Sequence, residues 1–240
     1  MTRTPPPVPP EPPAPHEPAD RVVPLRGARA MIAQKMRASL GETAQLTHHA
    51  DCFADALLAR KAALQAEGTK ASVEDLILDA VVAALARHPE MNGTLSEGAV
   101  RLSAAIHLGV AIALPGNLLV APAIFDAQAM SLPERVAARR DLTERARTNR
   151  LTVPEMTRGT FTVSNLGLSR VRYFTPILNT PQIAILGIGR MEETACRNAD
   201  GGLVWRPSMG LSLTFDHQAV DGAPAAAFLS DLCESIEAAV

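Results

Sequence analysis

The chain has 240 residues, 47% of them apolar and 20% charged, and a formal net charge of −2. That length supports one large domain with its own core and no need of disulfides, and the absence of a basic excess argues against a protein that binds nucleic acid through phosphate contacts. Cys52, Cys196 and Cys233 lie far apart without CxxC spacing, which argues against both a disulfide framework and a zinc site.

Nine of the 19 prolines fall within the first 20 residues. Such a run lacks most of the N–H groups that helices and ladders need. It is read as an extended, disordered arm over residues 1–20, either a leader or a spacer that docks a partner. It also lacks the charged-then-apolar pattern of a secretory signal. The domain is expected over residues 21–240. Residues 29–40 read as a helix with Met31, Ile32, Met36 and Leu40 on or near one face. A strand is expected over 46–53 and a helix over 55–66. The helix over 73–87 has the clearest 3.6-residue period. Ser72 with Asp75 resembles a capping box at its start, and Pro89 marks its stop.

The most apolar stretch, 104–125, is interrupted by His107, Pro115, Gly116 and Asn117. It is read as two strands joined by a turn rather than a membrane span, and a cytoplasmic protein is expected. Strands are placed around 100–113 and 118–124. Residues 132–147 read as a helix whose Arg139, Arg140, Arg145 and Arg147 alternate with Glu134, Asp141 and Glu144, a solvated face rather than a nucleic-acid patch. Short strands at 160–164, 182–187 and 209–215 precede a final helix with Pro224 in its first turn. The fold class is α/β of the mixed (α+β) kind, a mixed sheet flanked by helices.

Only histidine titrates near neutral pH without perturbation, so the six histidines are the natural candidates for acid–base chemistry. His16 lies in the arm, His88 at a helix end and His107 in a strand, all settings in which a structural role is the ordinary one. His48 and His49 in a strand remain open. His217 is different: a strand delivers it to a loop before the last helix, a common setting for catalytic groups.

The residues around it carry a resemblance. DHQAVDG at 216–222 resembles the HxxxDG signature of the dihydrolipoamide acyltransferases, the catalytic cores of the 2-oxoacid dehydrogenase complexes, which share that signature and their fold with chloramphenicol acetyltransferase. GTFTVSNLG at 159–167 and FTPILNTPQ at 174–182 resemble two further family segments, with AILG at 184–187 in register. PLRGAR at 24–29 resembles the motif that opens the catalytic domain. The resemblance spans residues 21–237.

What it implies is an acyl transfer between coenzyme A and the thiol of a dihydrolipoyl group, with no metal. His217 is the expected general base and Ser164 the oxyanion donor. Asp221 orients the histidine loop, with Arg29 as a candidate ion-pair partner, and Gly222 permits a tight turn. A homotrimer is implied, in which His217 of one chain meets Ser164 of its neighbour. The chain departs from the pattern at Gln218, where lipoyl-dependent members usually carry arginine, and at Arg158 and Leu118, where glycines are usual. No lipoyl domain precedes residue 21, so the lipoyl group is expected on a separate protein, with dehydrogenase subunits as further candidate partners. The last residues offer little apolar tail, so free trimers are expected rather than a cage. Two alternatives are a coenzyme A-dependent acyltransferase with a non-lipoyl acceptor and a catalytically silent scaffold for complex assembly. The retained serine and histidine count against the scaffold.

Overall fold

A computed structural model describes residue 20 and residues 22–238. Residues 1–19 of the proline-rich arm lie outside the described residues. Helix α1 (Gly27–Glu42) leads into strand β1 (Gln45–Phe53), and helices α2 (Asp55–Ala66) and α3 (Val73–Arg87) follow. Six short strands come next: β2 (Gly93–Ser96), β3 (Ala99–Leu102), β4 (Leu108–Val110), β5 (Ile112–Leu114), β6 (Leu118–Val120) and β7 (Ala123–Ile124). Helices α4 (Leu132–Arg147) and α5 (Val153–Thr157) precede β8 (Phe161–Asn165). The long strands β9 (Ala184–Arg197) and β10 (Leu203–Asp216) and the helix α6 (Gly222–Ala238) complete the fold. No helix among the described residues is long and apolar enough to cross a membrane.

Six strands form one mixed sheet in the order β1-β10-β9-β8-β4-β7. Strand β8 runs parallel to both its neighbours, and the other pairs are antiparallel. A strand parallel on both sides is covered on both faces, and Phe161, Thr162 and Val163 are accordingly buried. Helices α3 and α6 pack against each other. Leu76, Ile77, Val81 and Leu85 of α3 meet a core that also takes Phe228, Leu229, Leu232 and Ile236 of α6. Each such side chain contributes roughly 1.5–3 kcal/mol on burial. The expected capping box of α3 is present: Ser72 Oγ accepts from Asp75 N (3.1 Å) and Asp75 Oδ2 accepts from Ser72 N (2.8 Å).

Three expectations change. The strand expected over 100–113 is broken into pieces. Only β4 joins the main sheet, while β5 and β6 form a separate hairpin whose turn holds Gly116 and Asn117 at positive φ (77° and 59°). Strands β9 and β10 run far past their apolar stretches as a two-stranded ribbon held by a continuous antiparallel ladder, with Arg206 stacked on the Phe53 ring (4.0 Å) and paired with Asp55 (2.7 Å) at its base. The arginine face of α4 is not simply solvated. Arg139 meets Asp75 (2.5 Å) and Glu74 (3.2 Å), Arg135 pairs with Asp79, and Arg145 meets Glu155 (2.5 Å). For Arg135 and Arg139 the cause is α3, which presents its acids toward α4, whereas Arg145 is met from α5. Burial alone pushes the Asp75 carboxyl up, but hydrogen bonds from Arg139 and Ser72 outweigh it and hold the pKa below the ordinary range.

Candidate active site

Strand β10 ends in a buried run, Thr214, Phe215 and Asp216. Asp216 is 1% exposed, and a carboxylate there needs partners. Its Oδ1 accepts from the backbone N–H of Ala44 (3.0 Å) and of Gln218 (3.0 Å). The Gln218 side-chain amide donates to the same oxygen (3.2 Å) and to the carbonyl of Glu42 (2.9 Å). His217 N donates to Ala44 O (2.9 Å), and Val220 N to Asp216 O (3.0 Å). These bonds fasten the loop to the junction of α1 and β1. Gln218 supplies a neutral amide that ties Asp216 to the end of α1.

His217 leaves this fixed backbone with a side chain 44% exposed. Its Nδ1 stands 3.6 Å from Asp221 Oδ1, and Asp221 is 85% exposed. That separation lies within ion-pair range but beyond a direct hydrogen bond, and it leaves Nε2 as the outward nitrogen. The other described histidines have structural occupations. His49 bonds Ser212 Oγ (2.9 Å) and His107 Nδ1 accepts from Asp126 N (3.1 Å). His88 lies between Glu90 (3.2 Å) and Asp231 (3.2 Å). His48 packs edge-on against Phe215 (5.0 Å).

Ser164 sits on β8, two residues after Thr162 and on the same face. It lines a cavity of about 470 Å³ whose apolar wall includes Ile32, Met36, Phe174 and Ile185. The wall exists because glycines leave room for it. A Cβ at Gly189 would lie 1.8 Å from Arg172 O, one at Gly210 2.3 Å from the same oxygen, and one at Gly187 2.7 Å from the Phe174 ring. Residues 172–174 therefore lie against the sheet, where a chain with side chains at those positions would be displaced. Thr162 Oγ1 donates to the buried Gln182 Oε1 (2.6 Å), joining two of the quoted segments. Asn165 Nδ2 donates to Glu74 Oε1 (3.0 Å), and Asn165 Oδ1 accepts from Gly167 N (2.8 Å), fixing the turn after Ser164.

The register shows how the two halves relate. Ser164 pairs with Gly187 of β9, and Gly187 with Ser212 of β10. His217 lies five residues beyond Ser212, so it is roughly 17 Å along the strand and about two strand spacings across, about 19 Å from Ser164 in all. One chain brings His217 and Asp221 together and does not bring them to Ser164. Arg29 and Asp221 do not meet within the chain either. Arg29 lines the Ser164 cavity and donates to Asn117 O (3.3 Å). Gly222 has no positive φ, and a Cβ there would meet only the His48 ring at 3.8 Å. It starts α6 rather than forming a left-handed turn.

Sequence reasoning missed the supports: Asp216, Gln182, Asn165 and the glycines under residues 172–174. The available signal was polar residues inside buried runs and glycines at alternate positions of a strand.

The family model for the 2-oxoacid dehydrogenases acyltransferase catalytic domain matches residues 17–240. The chain is 39% identical over 220 residues to the dihydrolipoyllysine-residue acetyltransferase component of the acetoin cleaving system of Bacillus subtilis, covering 90% of this chain and 55% of that protein. It spans about half the length of the curated relatives it matches. A solved structure of Azotobacter vinelandii dihydrolipoamide acetyltransferase superimposes with a TM-score of 0.84 at 28% identity, covering 96% of this chain and 97% of that one. Chloramphenicol acetyltransferase superimposes with a TM-score of 0.54 at 17% identity, over 86% of this chain and 93% of that one, a likeness of fold.

Proposed function

Because this chain belongs to the 2-oxoacid dehydrogenase acyltransferase family, we propose that it transfers an acyl group between coenzyme A and the thiol of a dihydrolipoyl group. The observation that carries the reading is the placement of two complementary groups. An outward imidazole stands on a loop pinned by Asp216, and a serine hydroxyl lines an apolar cavity. The Azotobacter structure is titled for the role of a serine, a histidine and an asparagine in that enzyme's catalytic mechanism. Its histidine and asparagine have the spacing of His217 and Asp221, so the same i, i+4 pair holds a carboxylate here.

Both substrates of this reaction are thiols or thioesters, and a free thiol near neutral pH is a poor nucleophile. His217 Nε2 takes the proton from the attacking S–H, and the thiolate adds to the thioester carbonyl carbon. The carbonyl oxygen becomes an oxyanion and accepts a hydrogen bond from Ser164 Oγ. Collapse breaks the original C–S bond, and the departing thiolate takes the proton back from the imidazolium. Asp221 steadies the Nδ1 side of the ring.

The separation of His217 from Ser164 along one sheet supports a site assembled between copies of the chain. A homotrimer with His217 of one copy facing Ser164 of the next is the arrangement proposed. The test is acyl transfer from acetyl-, succinyl- and isobutyryl-coenzyme A to free dihydrolipoamide. Turnover that disappears in His217→Ala supports the reading. A well-folded protein that turns over none of the three donors refutes it.

A further inference from the structure

The Ser164 cavity has an unusual charge balance. Lys35 and Met36 of α1 lie three and four residues after Ile32, which lies three after Arg29, so one helix face supplies two cations and two apolar side chains to the same cavity. The apolar face of α1 is shifted from the one the sequence suggests, with Met31 66% and Leu40 56% exposed. None of the described residues that line the cavity is acidic. Lys35 Nζ donates to a neutral partner, Asn179 Oδ1 (2.6 Å), and Arg29 to a backbone carbonyl. Arg60, Arg87, Arg139, Arg145, Arg172 and Arg206 each meet a carboxylate, whereas Arg140 and Arg197 donate only to backbone carbonyls on the outer surface.

A neutral amide satisfies one donor of an ammonium but does not balance its charge. Lys35 is an exposed residue at the edge of the cavity, and the partial burial of its ammonium lowers its pKa from the ordinary lysine value. Nothing in the cavity supplies the opposing charge.

Resting on the acyl-transfer reading, we propose that Lys35, together with Arg29, forms a subsite for an anionic group of the acyl donor at the mouth of the Ser164 cavity. The occupant is a thioester whose less polar part lies along Ile32, Met36 and Phe174 while its anion meets the ammonium. Two parts of an acyl-coenzyme A have that chemistry: the far carboxylate of a dicarboxylic acyl chain and a phosphate of coenzyme A. Lys35 is then a specificity-determining residue, and Asn179 positions its ammonium.

The experiment is equilibrium binding of acetyl-coenzyme A, succinyl-coenzyme A and uncharged S-acetylpantetheine to the full chain, to Lys35→Met and to Lys35→Arg. Losing a charge-assisted hydrogen bond is expected to weaken binding about tenfold or more. If the anion is the acyl carboxylate, Lys35→Met weakens succinyl-coenzyme A alone. If it is a phosphate, both coenzyme A esters weaken and S-acetylpantetheine is unchanged. In either case Lys35→Arg retains most of the affinity. An equal loss for all three ligands, or no loss for any, overturns the subsite. Binding is read apart from turnover. Esters that bind through Lys35 without being turned over refute the acyl-transfer reading and leave the subsite standing. Turnover with affinities unchanged by Lys35→Met does the reverse.

Discussion

The two ends of the proposed chemistry are built in opposite ways. Ser164 stands in a parallel strand in the middle of the sheet, and its surroundings are complete within one chain. A cavity lies in front of it, Thr162 and Gln182 lock beneath it, and Asn165 and Glu74 fix the turn that follows. His217 stands on a loop at the end of β10. Its backbone is held firmly through Asp216, while its imidazole rests against the Phe215 ring (6.0 Å between centroids) and is 44% exposed, beside an Asp221 that is 85% exposed. The serine half is a finished wall and the histidine half is a projecting tool. A group held rigidly and left uncovered is what a composite site requires of the copy that reaches into its neighbour's cavity.

The largest expected effect comes from the tool itself. His217→Ala removes the base, and turnover should fall about 100- to 10,000-fold with circular dichroism unchanged and Tm little changed, because the imidazole is 44% exposed and meets the core only at the Phe215 ring. Ser164→Ala should cost about 100- to 1000-fold in kcat, with little change in KM for acyl-coenzyme A. A large rise in KM at constant kcat would instead make Ser164 a ground-state binding residue.

Asp216→Ala sharpens the contrast between backbone and side chain in the histidine half. It leaves the N–H groups of Ala44 and Gln218 without their carboxylate; both residues are exposed, so water can take up the freed donors and the loss should be about 1 kcal/mol or less for each. Thermal unfolding should show the loss, and kcat should fall with it because the loop is no longer pinned. Thr162→Val orphans only Gln182 Oε1 in the serine half, at about 1–3 kcal/mol. There the sheet ladder still holds Ser164, so kcat should change less than stability.

The smallest expected effect is on acid stability. The hydrogen bond from Arg145 holds the Glu155 carboxyl down at about 2, against an ordinary value of 4.5. A depressed carboxylate contributes stability above its unfolded pKa and loses that contribution as pH falls through the folded one. The contribution is thus present above about pH 4.5 and is lost between there and pH 2. Glu155→Gln should flatten that part of the stability curve, seen as a smaller drop in Tm between pH 5 and pH 2.5. Because Glu155 also caps α5, whose Met156 lines the cavity, the same titration tests how far that wall depends on an ion pair.

The sequence made the helices legible wherever periodicity and capping agreed. The bounds of α2, α3 and α4 follow from apolar spacing, from Ser72 with Asp75 and from Pro89. It also pointed to His217, Ser164 and Asp221 through motifs rather than through physics, since spacing alone says nothing of where two strand ends lie in space. The polar outer halves of β9 and β10 were hidden because Glu192, Glu193 and Thr194 break the apolar signal, and pairing in a ribbon needs none. Arg139 read as solvated because its partners lie about 60 residues away on α3, and Arg145 because Glu155 lies on the separate helix α5. The separation of Ser164 from His217 became visible only through strand register, a property of pairing that no local pattern carries.

That separation is the central claim, and subunit mixing tests it most directly. His217→Ala and Ser164→Ala, each nearly inactive alone, are unfolded together, refolded at equal concentration and assayed for acyl transfer. If each site takes His217 from one copy and Ser164 from the next, random co-assembly should restore activity in about a quarter of the sites. If both groups act within one chain, every chain in the mixture carries a damaged site. Activity that stays at the level of the separate variants, in particles shown by mass to contain both, would contradict the account.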